Sequence, residues 1–221
     1  MNSPNQRDRP QDSVIDTLIL HYTGMQSGAE AIARLCDPAS EVSSHYVVEE
    51  DGEVFRLVAE QRRAAHAGVS FWQGRTMLND SSIGIEIVNP GHEWGYRRFP
   101  AQQIAAVRQL CLDIIGRHAI PAARVLGHSD VAPDRKQDPG ELFPWRELAQ
   151  DGIGIWPEDM AESCDSAGVR EALLRIGYAP DLPVDIVLRA FQRHWRPETV
   201  DGSADSGTRA RLHAVAARMQ P

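Results

Sequence analysis

The apolar residues of this chain fall into short dense runs over its first two thirds and into helical stripes near its end. Val14–His21 is rich in Val, Ile and Leu and reads as a buried strand. The polar residues 1–12 ahead of it read as disordered or loosely packed. Ser27–Leu35 fits a helix, with Ser27 or Gly28 as its cap and Asp37-Pro38 as its stop. His45–Glu49 and Val54–Leu57 flank Glu50-Asp51-Gly52-Glu53, and Asp-Gly between two apolar runs signals a hairpin. In Ile83–Val88 the isoleucines 83, 85 and 87 share one face, while Gly84, Glu86 and Val88 share the other. Asn89-Pro90-Gly91 ends that strand. From Ala101 to His118, Ile104, Val107, Cys111, Ile114 and Ile115 recur at helical spacing. Arg124–Gly127 reads as a short strand that delivers His128.

Past Trp145 the texture changes. Asp151-Gly-Ile-Gly-Ile-Trp-Pro reads as a linker or docking arm. Three stripes follow: Val169, Ala172, Leu173 and Ile176, stopped at Gly177; Val184, Val187, Leu188, Phe191 and Trp195, with Pro183 at the start; and Leu212, Val215, Ala216 and Met219. They predict a small three-helix domain of about 55–60 residues, near the lower limit for independent folding.

Composition narrows the function classes. The 221 residues are 42% hydrophobic and 24% charged, as in an ordinary globular protein. A net charge of −8 supplies no basic face, so a nucleic-acid partner is not expected. Three cysteines without a Cys-x-x-Cys pair argue against a disulfide framework or a thiolate metal cluster, and Cys111 reads as a small buried apolar residue. No signal core, lipidation cysteine or bilayer-length apolar run occurs. The expected location is therefore the cytoplasm, with the periplasm or cell envelope as the alternative if a leader has been trimmed. The pattern is silent on oligomeric state.

Candidate chemistry sits where apolar runs end. His21 closes the first strand, and His128 and Asp138 lie ten residues apart in Gly-His-Ser-Asp-Val-Ala-Pro-Asp-Arg-Lys-Gln-Asp-Pro-Gly. Two imidazoles and one carboxylate form a ligand set for catalytic zinc that leaves a fourth position open. Such an ion makes a nucleophile of water near neutral pH, which predicts a hydrolase. Glu86 is a lone carboxylate in an apolar strand and a candidate proton carrier, unless it is an edge charge. Lys136 is a candidate for stabilising an oxyanion, or an ordinary surface lysine. His45 and His66 are rival ligands by composition. Each strand-end histidine can also be a satisfied structural residue, and Asp138 before Pro-Gly can simply shape a turn.

Five ordered blocks carry a resemblance: Leu-Ile-Leu-His-Tyr-Thr-Gly, Ser-Ser-His-Tyr-Val-Val, Ala-His-Ala-Gly-Val-Ser-Phe-Trp, Ser-Ile-Gly-Ile-Glu-Ile-Val-Asn, and the His128 block running on to Glu-Leu-Phe-Pro-Trp. Together, over roughly residues 12–150, they resemble the zinc-dependent N-acetylmuramoyl-L-alanine amidases of the type 2 amidase and peptidoglycan recognition protein superfamily. The resemblance implies an α/β fold with a central mixed β-sheet flanked by helices. It implies Zn2+ on His21, His128 and Asp138, with Glu86 and Lys136 catalytic. The substrate implied is a muropeptide or peptidoglycan, cut between N-acetylmuramic acid (or its 1,6-anhydro form) and L-alanine. Tyr22, His66, Trp72, Asn79 and Asn89 flank the matching blocks and are candidates for lining the cleft, although Tyr22 and Trp72 equally suit packing. Residues 160–221 resemble a helical peptidoglycan-binding module through Ala-Phe-Gln-Arg and Val-Asp-Gly. A plain buttress for the first domain is the competing reading. A non-catalytic muropeptide-recognition protein and a general zinc peptidase are the rival functions.

Overall fold

The structure is a computed structural model and describes residues 1–159 and 168–219. Its centre is a five-stranded sheet in the order β4-β3-β6-β2-β7. The strands are β2 (Thr17–Tyr22), β3 (Tyr46–Val48), β4 (Val54–Arg56), β6 (Ser82–Ile87) and β7 (Val125–Gly127). β4 runs antiparallel to β3, and the remaining neighbours are parallel, so the sheet is mixed. The dense apolar runs are the two central strands, whose faces are both covered; five of the six residues of β2 are buried.

Alternation along these strands assigns their chemistry. Leu18, Leu20, Ile83, Ile85 and Ile87 enter one core with Ile104, Val107, Cys111 and Ile114 of α3 (Ala101–His118). The next residues over, Ile19 and His21 on β2 and Gly84 and Glu86 on β6, therefore project from the opposite face. The register places His21 directly beside Glu86 and Leu20 beside Gly127. One step beyond Gly127 begins α4 (His128–Val131). Pairing of three parallel strands thus brings His21, Glu86 and His128 to one end of one face.

Helix α1 (Gly28–Cys36) starts where expected, with the Ser27 hydroxyl accepting from the Glu30 amide. The β3–β4 hairpin turns through Gly52 at φ +90°, a left-handed position that suits glycine.

The expectation of a loose N-terminus is corrected. β1 (Gln6–Asp8) pairs antiparallel with β5 (Arg62–Ala64). Arg9 anchors the segment by donating to the carbonyls of Glu60, Asn79, Asp80 and Ser82. A polar segment can be ordered without apolar burial when one guanidinium satisfies four partly buried carbonyls.

Residues 151–157 are a docked arm, with Ile153 fully buried in the α3-side core. α5 (Trp145–Ala149) precedes it, and a short α2 (Gly91–Trp94) follows β6. The three predicted C-terminal stripes are α6 (Val169–Ile176), α7 (Val184–Trp195) and α8 (Ser206–Arg218). Their apolar faces share one core with Ile19, Leu126, Val131, Trp72 and Leu78 of the sheet side. The expected start of a second domain at residue 160 lies outside the described residues. Among the described residues no helix is long and apolar enough to cross a membrane.

Candidate active site

His21 and Tyr22 leave the end of β2, and His128 opens α4. Asp138 returns on the following loop, where its carbonyl accepts from the Ser129 amide at 2.9 Å. Gly127 permits this return, since a Cβ there would lie 2.8 Å from the Pro139 ring.

The three side chains meet in a compact triangle. His21 Nδ1 lies 2.9 Å from His128 Nδ1, and each nitrogen lies 3.0 Å from Asp138 Oδ2. All three residues are buried. Ligand atoms on a tetrahedral zinc with bonds of about 2.0 Å stand about 3.3 Å apart, so the triangle fits such an ion with little adjustment. His128 Nε2 lies 3.2 Å from the Ala67 carbonyl, which can only accept. Its proton therefore sits on Nε2 and leaves Nδ1 bare toward the triangle. Burial, with His128 adding to it, lowers His21 to about 4, so its imidazole is neutral, the form that binds metal. Two bare nitrogens and a carboxylate oxygen aimed at one point form a donor set that suits a cation.

A cavity of about 730 Å³ opens over this triangle, within the size range of ligand sites. Glu86 and Lys136 line it together with His128 and Asp138. Glu86 Oε2 is buried without a hydrogen-bond partner. Burial, and then the negative charge of Asp138, push its carboxyl well above the ordinary range, while Lys136 acts the other way. A carboxylate so placed is a strong proton acceptor facing open space.

Of the cleft candidates, Tyr22 and His66 reach the cavity. The Tyr22 hydroxyl pairs with His92 Nδ1 at 2.9 Å. His66 stands behind His21, with its Nδ1 3.0 Å from His21 Nε2. The other three do not line the cavity. Trp72 is buried edge-on against Tyr178 of the C-terminal segment. Asn79 Oδ1 accepts from the amides of His66 and Ala67, holding their loop in place. Asn89 closes its own turn, accepting from the Gly91 amide and donating to the Arg97 carbonyl. Amides of this kind suit turn closure as well as ligand contact, and sequence adjacency to a block does not separate the two. The rival ligand His45 accepts from the Gly84 amide through Nδ1 and takes no part in the triangle.

Sequence reading missed His92 and Trp94 on the cavity rim. His92 stacks on Tyr96 at 4.4 Å and reaches Glu141 at 3.2 Å. Trp94 is 56% exposed beside the opening. The only signal was the strand-ending Asn89-Pro90-Gly91, which marks a loop and not its contents.

Comparisons with known proteins place the chain among relatives of one family. The sequence pattern of the family described as N-acetylmuramoyl-L-alanine amidase matches residues 11–141. N-acetylmuramoyl-L-alanine amidase AmiD of Escherichia coli is 39% identical over 231 residues, covering 91% of this chain and 82% of the relative. The 1,6-anhydro-N-acetylmuramyl-L-alanine amidase AmpD of the same organism is 34% identical over 160 residues, 65% of this chain and 85% of the relative. Among solved structures, the complex of AmiD with anhydro-N-acetylmuramic acid-L-Ala-D-gamma-Glu-L-Lys superposes with TM-score 0.83 at 38% identity, covering 96% and 93% of the two chains. AmpDh3 of Pseudomonas aeruginosa in complex with anhydromuramic pentapeptide gives TM-score 0.86 at 34% identity, covering 100% and 99%.

Proposed function

Because this chain belongs to the N-acetylmuramoyl-L-alanine amidase family, we propose that it hydrolyses the amide between N-acetylmuramic acid and the L-alanine of a stem peptide, with the 1,6-anhydro sugar accepted. The observation that carries this reading is the His21, His128 and Asp138 triangle standing beside an unpartnered Glu86 in an open cavity.

His21 Nδ1, His128 Nδ1 and Asp138 Oδ2 would hold zinc. Zinc, when bound there, supplies Lewis acidity that makes water a nucleophile near neutral pH and polarises a carbonyl. Glu86 takes the proton from the attacking water, and its raised affinity for protons suits that task. It then delivers the proton to the departing alanine nitrogen. The Lys136 ammonium faces the same cavity and offsets negative charge as it develops on the carbonyl oxygen.

Retention of a complete ligand triangle and a buried carboxylate favours this reading over a non-catalytic recognition protein. The catalytic unit is assigned to residues 12–150 and the helical unit to 160–221. The apolar core shared between the two supports a buttressing role for the second.

The test is to incubate the purified protein with a soluble anhydro-muropeptide and, separately, with intact sacculi, each with and without a chelator. Free stem peptide identified by mass spectrometry and abolished by the chelator is the expected result. A protein that binds muropeptide without releasing peptide would overturn the assignment. Release from the soluble substrate alone would place the activity in cytoplasmic recycling of wall fragments. Release from sacculi as well would place it at the cell wall.

A further inference from the structure

The hydrogen-bond chain behind His21 determines which of its nitrogens is bare. The Ser82 hydroxyl donates its single proton to the Leu78 carbonyl at 2.6 Å. Ser82 Oγ also lies 3.1 Å from His66 Nε2, and toward that atom it can now only accept. The His66 proton is therefore on Nε2, and His66 Nδ1 is a lone pair. That lone pair lies 3.0 Å from His21 Nε2, so the His21 proton is on Nε2. His21 Nδ1 is left bare, and it is the atom that faces His128 Nδ1 and Asp138 Oδ2.

The surroundings hold His66 in this role. Its ring lies on Gly84, where a Cβ would come within 2.5 Å of the imidazole. Its backbone is fixed by Asn79. Ser82, His66 and His21 are all buried, so their mutual hydrogen bonds are strengthened by the low local dielectric.

We propose that Ser82 and His66 are positioning residues that keep His21 in its Nε2–H form, so that Nδ1 remains available as a ligand. The alternative state explains why such a device is needed. With a proton on Nδ1, His66 would donate to His21 Nε2 and drive the His21 proton to Nδ1. That proton would then satisfy Asp138 Oδ2 directly, and the triangle would close on itself as a hydrogen-bonded cluster with no free donor for a cation. Groups that orient metal-bound histidines commonly alter metal affinity about 10–100-fold when removed.

The proposal rests on reading the triangle as a metal site, and two measurements on the full chain keep the two apart. The first is 15N NMR of the histidine rings in metal-free protein. His21 protonated at Nε2 is expected, with a shift toward the Nδ1–H form in Ser82→Ala. His21 already protonated at Nδ1 in the parent overturns the proposal whether or not the protein binds metal. The second is zinc affinity by competition with a chromophoric chelator, read without any activity assay. Ser82→Ala and His66→Ala should bind zinc about 10–100-fold more weakly. Ser82→Thr keeps the hydroxyl and His66→Asn supplies an acceptor near the Nδ1 position, so both should retain more affinity than the alanine variants. Folded alanine variants with parental zinc affinity overturn the proposal. A parent that binds no zinc overturns the metal reading, while the NMR result still decides the tautomer.

Discussion

His194 of α7 donates through Nδ1 to Asp130 Oδ2 at 2.7 Å, joining the C-terminal helices to the short helix that opens with His128. Asp130 also accepts from the Gly127 amide at 2.7 Å and from the Tyr178 hydroxyl at 3.1 Å. The His194 ring is stacked between Trp145 at 3.9 Å and Trp195 at 3.7 Å. The element that carries a candidate metal ligand is thus gripped by the helical unit. Removing His194 would leave a buried carboxylate short of a donor and open the stack. His194→Ala should destabilise the protein by about 3 kcal/mol. Thermal melting should show one transition moving down as a whole. A separate, early transition of the C-terminal helices alone would argue against the shared core.

Glu86→Gln keeps the shape of the side chain and removes its ability to take a proton. The expected loss in kcat is about 10²–10⁴-fold, the usual contribution of a general base. Zinc content by elemental analysis should match the parent. Parental turnover in this variant would remove Glu86 from the mechanism.

Lys136→Ala should lower kcat by about 10²–10³-fold, as losses of a single oxyanion partner do, with KM little changed. Steady-state kinetics on a soluble muropeptide separates the two constants. An effect confined to KM would make Lys136 a substrate-binding residue.

Chelation should abolish hydrolysis, and added zinc should restore it. A ligand that binds only the folded state stabilises it by about 4 kcal/mol at a thousand times its Kd. Scanning calorimetry should therefore show a lower Tm after chelation, recovered on adding zinc. An unchanged Tm together with unchanged activity would exclude a working metal site.

Glu60 reports on acid stability away from the cavity. Burial alone would raise its pKa, but hydrogen bonds from Arg117, His118 and Tyr46 hold it at about 2, below the ordinary carboxylate range. A carboxylate lowered in the folded state contributes stability that is fully present above its unfolded value and lost as pH falls through its folded value. The Glu60 contribution should fade between about pH 5 and pH 2. Urea melts across that range should show a flatter pH dependence in Glu60→Gln than in the parent, and identical slopes would place the acid sensitivity elsewhere.

The local elements were legible in the sequence because local patterns specify them. Alternating isoleucines marked β6, helical spacing marked α3 over the same residues, and Gly177 ended α6 where its stripe stopped. The ligand candidates His21 and His128 were legible because each follows an apolar run that had to be a strand, and Asp138 because it lies ten residues after His128 in the loop of the same block. Long-range relations decided the rest. The pairing of His21 with Glu86 is a matter of parallel-strand register, and the residues that set it lie 65 positions apart. His66 looked like one more ligand or cleft residue until packing against Gly84 placed it behind His21. The N-terminal arm carries almost no apolar signal, because Arg9 holds it through carbonyls whose positions exist only in the folded chain. Sequence thus determined which residues could do chemistry and which segments were regular. Tertiary structure alone decided which donors converge and which nitrogens of His21 and His128 face Asp138, because hydrogen-bond partners are set by distance in space and not along the chain.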